Sequence, residues 1–238
     1  MPPSTELRKS GLVHALRSCR LFAGLPGDEL EAIASFTLGR SLQRGEYLFR
    51  EGDPAVGFYI VQRGAINIHR VSAAGREQVL HIYRAGESFA EGSVASDQGY
   101  PANARALEST QVLLVQKAGM AEHVRHHPEI ALNLIASINR NLRLLIRQFD
   151  DLTLKDVETR LANWLLRHCP EDNDATPVSL CLICTKRVLA AELGTVSETL
   201  SRTLARFREQ QLITVNGRSI TILNPAALHA MLQRHLSE

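Results

Sequence analysis

Residues 185–223 read TKRVLAAELGTVSETLSRTLARFREQQLITVNGRSITIL, and the order of signals in this stretch decides the architecture of the last third of the chain. Thr185 is an N-cap residue ahead of a helix from Lys186 to Leu193, which Gly194 closes at its C′ position. Thr195-Val196 follow, and Ser197 caps a longer helix over Glu198 to Gln211. Two alternating apolar runs, Leu212–Val215 and Ser219–Leu223, flank Asn216-Gly217, the strongest short hairpin signal. Helix, glycine turn, helix and hairpin together spell a winged helix-turn-helix.

The second helix has two faces. Ser197, Glu198, Ser201, Arg202, Ala205 and Arg206 recur at three- and four-residue spacing as a polar face, while Leu200, Thr203, Leu204 and Phe207 form the face that holds the helix down. Basic Lys186, Arg187, Arg202, Arg206, Arg208 and Arg218 outnumber acidic Glu192, Glu198 and Glu209 across the motif. Such a patch attracts phosphates, and Arg202 with Glu198 suits one G·C pair, Arg on guanine O6/N7 and Glu on cytosine N4. The alternative is a solvated charged face. The hairpin beside it and the seam described next favour DNA.

Working back toward the N-terminus, Ala131, Ile135, Ile138, Leu142, Leu145, Phe149 and Leu152 keep a strict 4-3 spacing over three heptads. This reads as a parallel dimer seam. A core helix on the preceding domain is the alternative, and both hold together if the seam takes one narrow face. Asp150-Asp151 marks a break before a helix from Leu154 to His168. From Ser41 to Val115 short alternating runs such as 57–61 and 64–69 are punctuated by glycines, predicting a small antiparallel roll or barrel. A short helix from Asp28 to Ser35 precedes it, capped by Asp28 or Gly27.

Composition narrows the class. The 238 residues carry a formal charge of +2 and 45% hydrophobic residues, enough for one large or two small cores and too little charge for a blanket electrostatic binder. No apolar run reaches the length of a membrane span, the opening Met1–Glu6 lacks a secretory pattern, and four scattered cysteines suit a reducing cytoplasm. No nucleophile triad, phosphate-gripping loop or zincin pattern appears, so an enzyme is not expected.

The run Gly194–Leu204 resembles the recognition helix of the CRP/FNR family of bacterial transcription regulators, and its Glu198, Ser201, Arg202 pattern is similar to the FNR and DNR branches. The resemblance covers nearly the whole chain beyond the first dozen residues: Arg44-Gly45-Glu46 through Gly64 resembles the cyclic-nucleotide-binding-type β-roll, and 152–157 resembles the family's hinge. It implies a homodimer reading TTGAT-like half-sites in an inverted repeat of double-stranded DNA, a phosphate contact from Lys186, and RNA polymerase as a partner.

Against the family's cyclic-nucleotide readers, this chain keeps Glu91 but has Pro101-Ala102 where those proteins carry Arg-Ser, and Leu145-Ile146 where they carry Thr-Ser. No cyclic AMP binding is therefore expected. An iron–sulfur cluster is not expected either, because only Cys19 lies near the N-terminus and the roll has no cysteine. The interior, with Phe58, Ile60, Ile66, Ile68, Leu80, Ile82 and Phe89, is expected to be an apolar cavity. Resemblance to the nitric-oxide-responsive DNR type implies haem b, for which His14 and Cys19, beside the Ser18–Phe22 stretch, are candidates by position; another apolar or redox signal and a nucleotide are the alternatives. Six of nine histidines (His14, His69, His81, His123, His126, His127) lie in this half. Cys181 and Cys184, with Cys169 upstream, read as structural residues, a redox pair or a metal pair, and a strand there would point Cys181 and Cys184 to opposite faces.

The expected fold class is α+β: a sensory β-roll over 13–127, a dimerisation helix over 128–151 carrying Ile135, Ile138, Leu142, Leu145 and Phe149, and a DNA-binding winged helix-turn-helix over 152–238. Its DNA contacts are Lys186, Ser197, Glu198, Ser201, Arg202 and Arg206. The rival reading is a cyclic-nucleotide-sensing protein without sequence-specific DNA contact.

Overall fold

A computed structural model describes residues 5–169 and 177–235. Met1–Ser4, part of the stretch read for a secretory pattern, and the last three residues of the expected DNA-binding domain lie outside the described residues. Two compact units divide the chain near Leu144.

In the first unit, helices α1 (Thr5–Ser18) and α2 (Gly27–Ser35) precede eight strands: β1 (Thr37–Leu42), β2 (Tyr47–Phe49), β3 (Gly57–Arg63), β4 (Ala65–Val71), β5 (Glu77–Arg84), β6 (Ser88–Phe89), β7 (Asn103–Ala106) and β8 (Thr110–Gln116). They form two four-stranded sheets, ordered β1-β8-β3-β6 and β2-β7-β4-β5, with antiparallel pairing of β1 and β3 on β8. This is the expected roll. Gly64 joins β3 to β4 at φ +86°, and a Cβ there would meet the Thr110 hydroxyl at 2.5 Å, so backbone freedom and space both call for glycine. The start of α2 differs from expectation. Pro26 holds the N-cap position, its carbonyl accepting from Leu30 N–H, while Gly27 and Asp28 lie inside the first turn.

Both faces of β3 are buried, and this corrects the expected lining of the roll. Phe58 and Ile60 face a helical layer with Leu16, Phe22, Leu30, Ile33 and Met120, whereas their neighbours Tyr59 and Val61 face the interior with Phe49, Ile66, Phe89 and Tyr100. Rings crowd that interior: Phe49 stacks on Tyr100 at 3.7 Å and Tyr59 on Phe89 at 5.5 Å. The Tyr100 hydroxyl donates to the Gly57 carbonyl. The side chains meant to line an apolar cavity are thus shared between two packed cores, because successive residues of a strand point oppositely. Ile68 packs at the interior's margin and Leu80 is half-buried.

Helix α3 (Lys117–His126) leads to α4 (Glu129–Leu154), which is continuous through Asp150-Asp151. Asp151 does not break it. Its carboxylate binds Lys155, Asn163 and Arg167 and so fixes α5 (Val157–Arg167), whose N-cap Asp156 accepts from Thr159 N–H at 2.7 Å. The second unit continues with β9 (Val178–Cys181), α6 (Lys186–Glu192), α7 (Ser197–Glu209), β10 (Ile213–Asn216), β11 (Ser219–Ile222) and α8 (Pro225–His235). Its sheet is ordered β10-β11-β9, so β9 adds a third strand to the hairpin. Asn216 is the last strand residue, paired with Ser219. Pro225 opens α8, where it needs no N–H partner, and α8 packs on α5.

Candidate nucleic-acid interface and sensor core

The turn motif is built as its residues dictate. Thr185 caps α6 by accepting from Val188 N–H, and Gly194 takes the left-handed conformation (φ +62°) that reverses the chain between α6 and α7. Ser197 is not the cap of α7. Val196, with extended backbone, occupies that position and its carbonyl accepts from Leu200 N–H, which moves Ser197 into the first helical turn. The helix is held by Leu200, Thr203, Leu204 and Phe207, all buried.

The opposite face is open. Lys186, Ser197, Glu198, Ser201, Arg202 and Arg206 are all exposed. Arg202 lies 3.9 Å from Glu198 one turn back, so the two side chains proposed for one base pair share a ridge. Arg206 instead pairs with Glu158 of α5, an interaction within the domain that competes with any phosphate.

Helix α4 carries two stripes. Ile130, Leu134 and Ser137 are buried against the roll, while Ile135, Ile138, Leu142, Leu145 and Phe149 are between 43% and 66% exposed. The seam side chains therefore do not belong to the chain's own core, and the packed stripe is a separate set at the same 4-3 spacing.

Glu91 opens the 3-10 turn Glu91–Ala95 and is 3% exposed. Its carboxylate accepts from Ser88 Oγ (2.6 Å), Ser137 Oγ (2.8 Å) and Asn141 Nδ2 (3.3 Å), the last two from α4. Ala90 before it takes a left-handed φ of 64°. Ser88, Ser137 and Asn141 carry no sequence signal of this role; only their meeting at Glu91 reveals it. Arg105 lies on β7 between inward-facing Ala104 and Ala106, with its guanidinium by the Tyr47 ring, as a structural residue would.

Residues 39–127 match the cyclic nucleotide-binding domain family and residues 159–231 the Crp-like helix-turn-helix domain family. These two domains in this order are those of a CRP/FNR-type DNA-binding transcription regulator. The chain is 27% identical over 213 residues to the cyclic AMP receptor protein of Thermus thermophilus, covering 90% of this chain and 96% of that one. It is 28% identical over 197 residues to the transcriptional activator Anr of Pseudomonas protegens, covering 81% and 80%. The solved structure of FixK2 from Bradyrhizobium japonicum superposes with a TM-score of 0.71 at 25% identity, covering 82% of this chain and 96% of that one. CRP/FNR proteins are DNA-binding regulators that act as dimers, not enzymes. Among the described residues no helix is long and apolar enough to cross a membrane.

The haem and cysteine-pair candidates read from the sequence differ in exposure. His14 is exposed on α1, whereas Cys19 is wholly buried at the end of that helix, its thiol pushed up by burial against the lowering effect of the Leu21 backbone. The Cys19 sulfur has no open side for haem iron to approach, so Cys19 does not fit as a ligand, whereas His14 is open to one. Cys181 is exposed and Cys184 buried, but β9 ends at Cys181, so Cys184 lies in the loop before α6 and the alternation expected of a longer strand is not what parts them.

Proposed function

We propose that the chain reads a TTGAT-like inverted repeat as a homodimer, each α7 entering a major groove. The observation that carries this is the open face of α7, where Ser197, Glu198, Ser201 and Arg202 stand clear of the domain that buries the helix's other side. Arg202 holds the guanine, Glu198 the paired cytosine and Ser201 a neighbouring thymine. Lys186 contacts phosphate. Arg206 reaches DNA only by leaving Glu158. The exposed stripe Ile135–Phe149 is the dimer seam, and the bound dimer engages RNA polymerase in the cytoplasm.

Cyclic AMP is not the effector in this reading. The Glu91 carboxylate is already engaged by Ser88, Ser137 and Asn141, and Pro101-Ala102 supplies no cation to a phosphate. A redox or gas signal suits the FNR-like recognition helix, nitric oxide through haem b among the candidates; of the two ligands expected by position, buried Cys19 does not fit and exposed His14 is the one left to hold it.

Binding measured across a salt series on the inverted repeat, a single half-site and a scrambled duplex tests the reading. Strong preference for the full repeat is expected; equal affinity for repeat and scrambled DNA refutes it. Calorimetry with cyclic AMP tests the effector, and saturable micromolar binding overturns that part alone.

A further inference from the structure

Outside the DNA face, the seam and the Glu91 cluster, one group of side chains has the composition of a metal centre. Glu29, in the first turn of α2, faces His123 and His127 of the α3 end: Oε2 lies 2.8 Å from His123 Nε2 and Oε1 lies 2.7 Å from His127 Nδ1. The four-residue spacing places the two imidazoles one above the other, with ring centroids 4.6 Å apart and planes at 25°. The His127 N–H donates to the His123 carbonyl at 2.9 Å, which keeps the last turn wound and both rings on one side. Three donor atoms, one from each residue, fall within 4.8 Å of one another.

We infer that Glu29, His123 and His127 form a binding site for a zinc-type divalent ion. The side chains of His123 and Glu29 are only 9% and 15% exposed, whereas His127, at 38%, leaves a way in. The buried atoms Glu29 Oε2 and His123 Nε2 sit 2.8 Å apart without the alignment of a hydrogen bond, so neither satisfies the other. Lone pairs converging in this way are what a cation requires. Two imidazoles and one carboxylate are a zinc donor set, and the Phe36 ring, 5.9 Å from that of His123, lines one side.

Bond lengths of about 2.0–2.1 Å in a tetrahedron put neighbouring donors roughly 3.3 Å apart, about half an ångström more than now separates Glu29 Oε2 from His123 Nε2 and within the 4.8 Å that encloses the three donors. A fourth position falls to water or to Glu129, whose Oε1 is 3.5 Å from His127 Nδ1. Glu129 is the first residue of α4. Occupancy would therefore tie α2 to the point where the proposed dimer helix begins, although the site itself does not depend on the DNA-binding proposal.

The test uses the full-length protein stripped with a chelator and titrated with zinc chloride by calorimetry, then with cobalt(II) followed by visible absorption. One saturable zinc ion per chain is expected, with cobalt bands of a four-coordinate nitrogen and oxygen site. Glu29→Gln, His123→Ala and His127→Ala should each weaken zinc by roughly tenfold or more, and Cys181→Ser should leave it unchanged. Zinc should also raise the wild-type melting temperature, a readout that needs no variant to fold. Absence of saturable binding, affinity indifferent to all three substitutions, or a thiolate-to-cobalt charge-transfer band overturns the assignment.

Discussion

Ser137, about a third of the way along α4, donates a 2.8 Å hydrogen bond to Oε1 of Glu91, a carboxylate buried in the 3-10 turn that follows β6. Ser88 donates to the same oxygen from the roll side. A charge taken out of water is tolerable only when its lone pairs are met, so the position of α4 on the roll is coupled to the satisfaction of Glu91. Any ligand or modification that draws Glu91 away must also release Ser137 and Asn141 from it.

Ser137→Ala should therefore destabilise the β-roll unit by about 1–3 kcal/mol, because the carboxylate stays buried with one donor fewer. Ser137→Thr, which restores a hydroxyl, should recover part of the loss. Urea unfolding of both variants checks this, and wild-type stability in Ser137→Ala would show that water replaces the hydroxyl without cost.

Leu142→Asp should convert the dimer to monomer in sedimentation while leaving the far-ultraviolet circular dichroism intact, since Leu142 is 53% exposed and makes no core of its own. An aspartate in a closed seam would be an unpaired buried charge. Operator affinity should fall as the dimer is lost. A variant that remains dimeric would locate the interface elsewhere.

Arg202→Ala should cost roughly 1–3 kcal/mol on the inverted repeat and relax preference at the G·C pair it reads. Lys186→Ala should weaken repeat and scrambled DNA alike and make the salt dependence shallower. Arg206→Ala should change affinity less than Arg202→Ala, because Arg206 is engaged by Glu158. Competition assays across a salt series separate the three.

Gly194→Ala should lower the stability of the DNA-binding unit by about 1–3 kcal/mol through backbone strain at φ +62°. An added Cβ would also approach Leu152 Cδ2 at 2.1 Å, a methyl that can rotate away, so the backbone dominates. Thermal unfolding would reveal the cost; a neutral result would mean that the turn relaxes.

The Cys19 thiol, held above its ordinary value by burial, gives a pH dependence of definite sign. Once the pH exceeds the thiol's unfolded pKa, the unfolded chain loses the proton that the native state keeps, so stability falls as pH rises toward the native value. Cys19→Ala should flatten that alkaline decline. Iodoacetamide should label exposed Cys181 in the native protein and Cys19 only after unfolding.

Features that depend on neighbours along the chain are set locally by the residues themselves. Thr185, Gly194 and Asn216-Gly217 act within a few residues, and the 4-3 spacing of Ile135 through Phe149 is a property of one helix, so the turn motif, the wing and the apolar stripe were legible before any packing was known. Tertiary structure alone decided which of several local options prevailed. Val196 rather than Ser197 caps α7, because the turn from Gly194 sets the backbone there. Phe58 and Ile60 lie outside the roll rather than in it, since alternation fixes that neighbours part but not which of them faces inward, and both faces of β3 are apolar. Asp151 continues a helix because Lys155, Asn163 and Arg167 converge on it. Glu91 with Ser137, and Glu29 with His123, are separated by 46 and 94 positions; no local rule joins them, and their burial against each other exists only once the helices have closed over the roll.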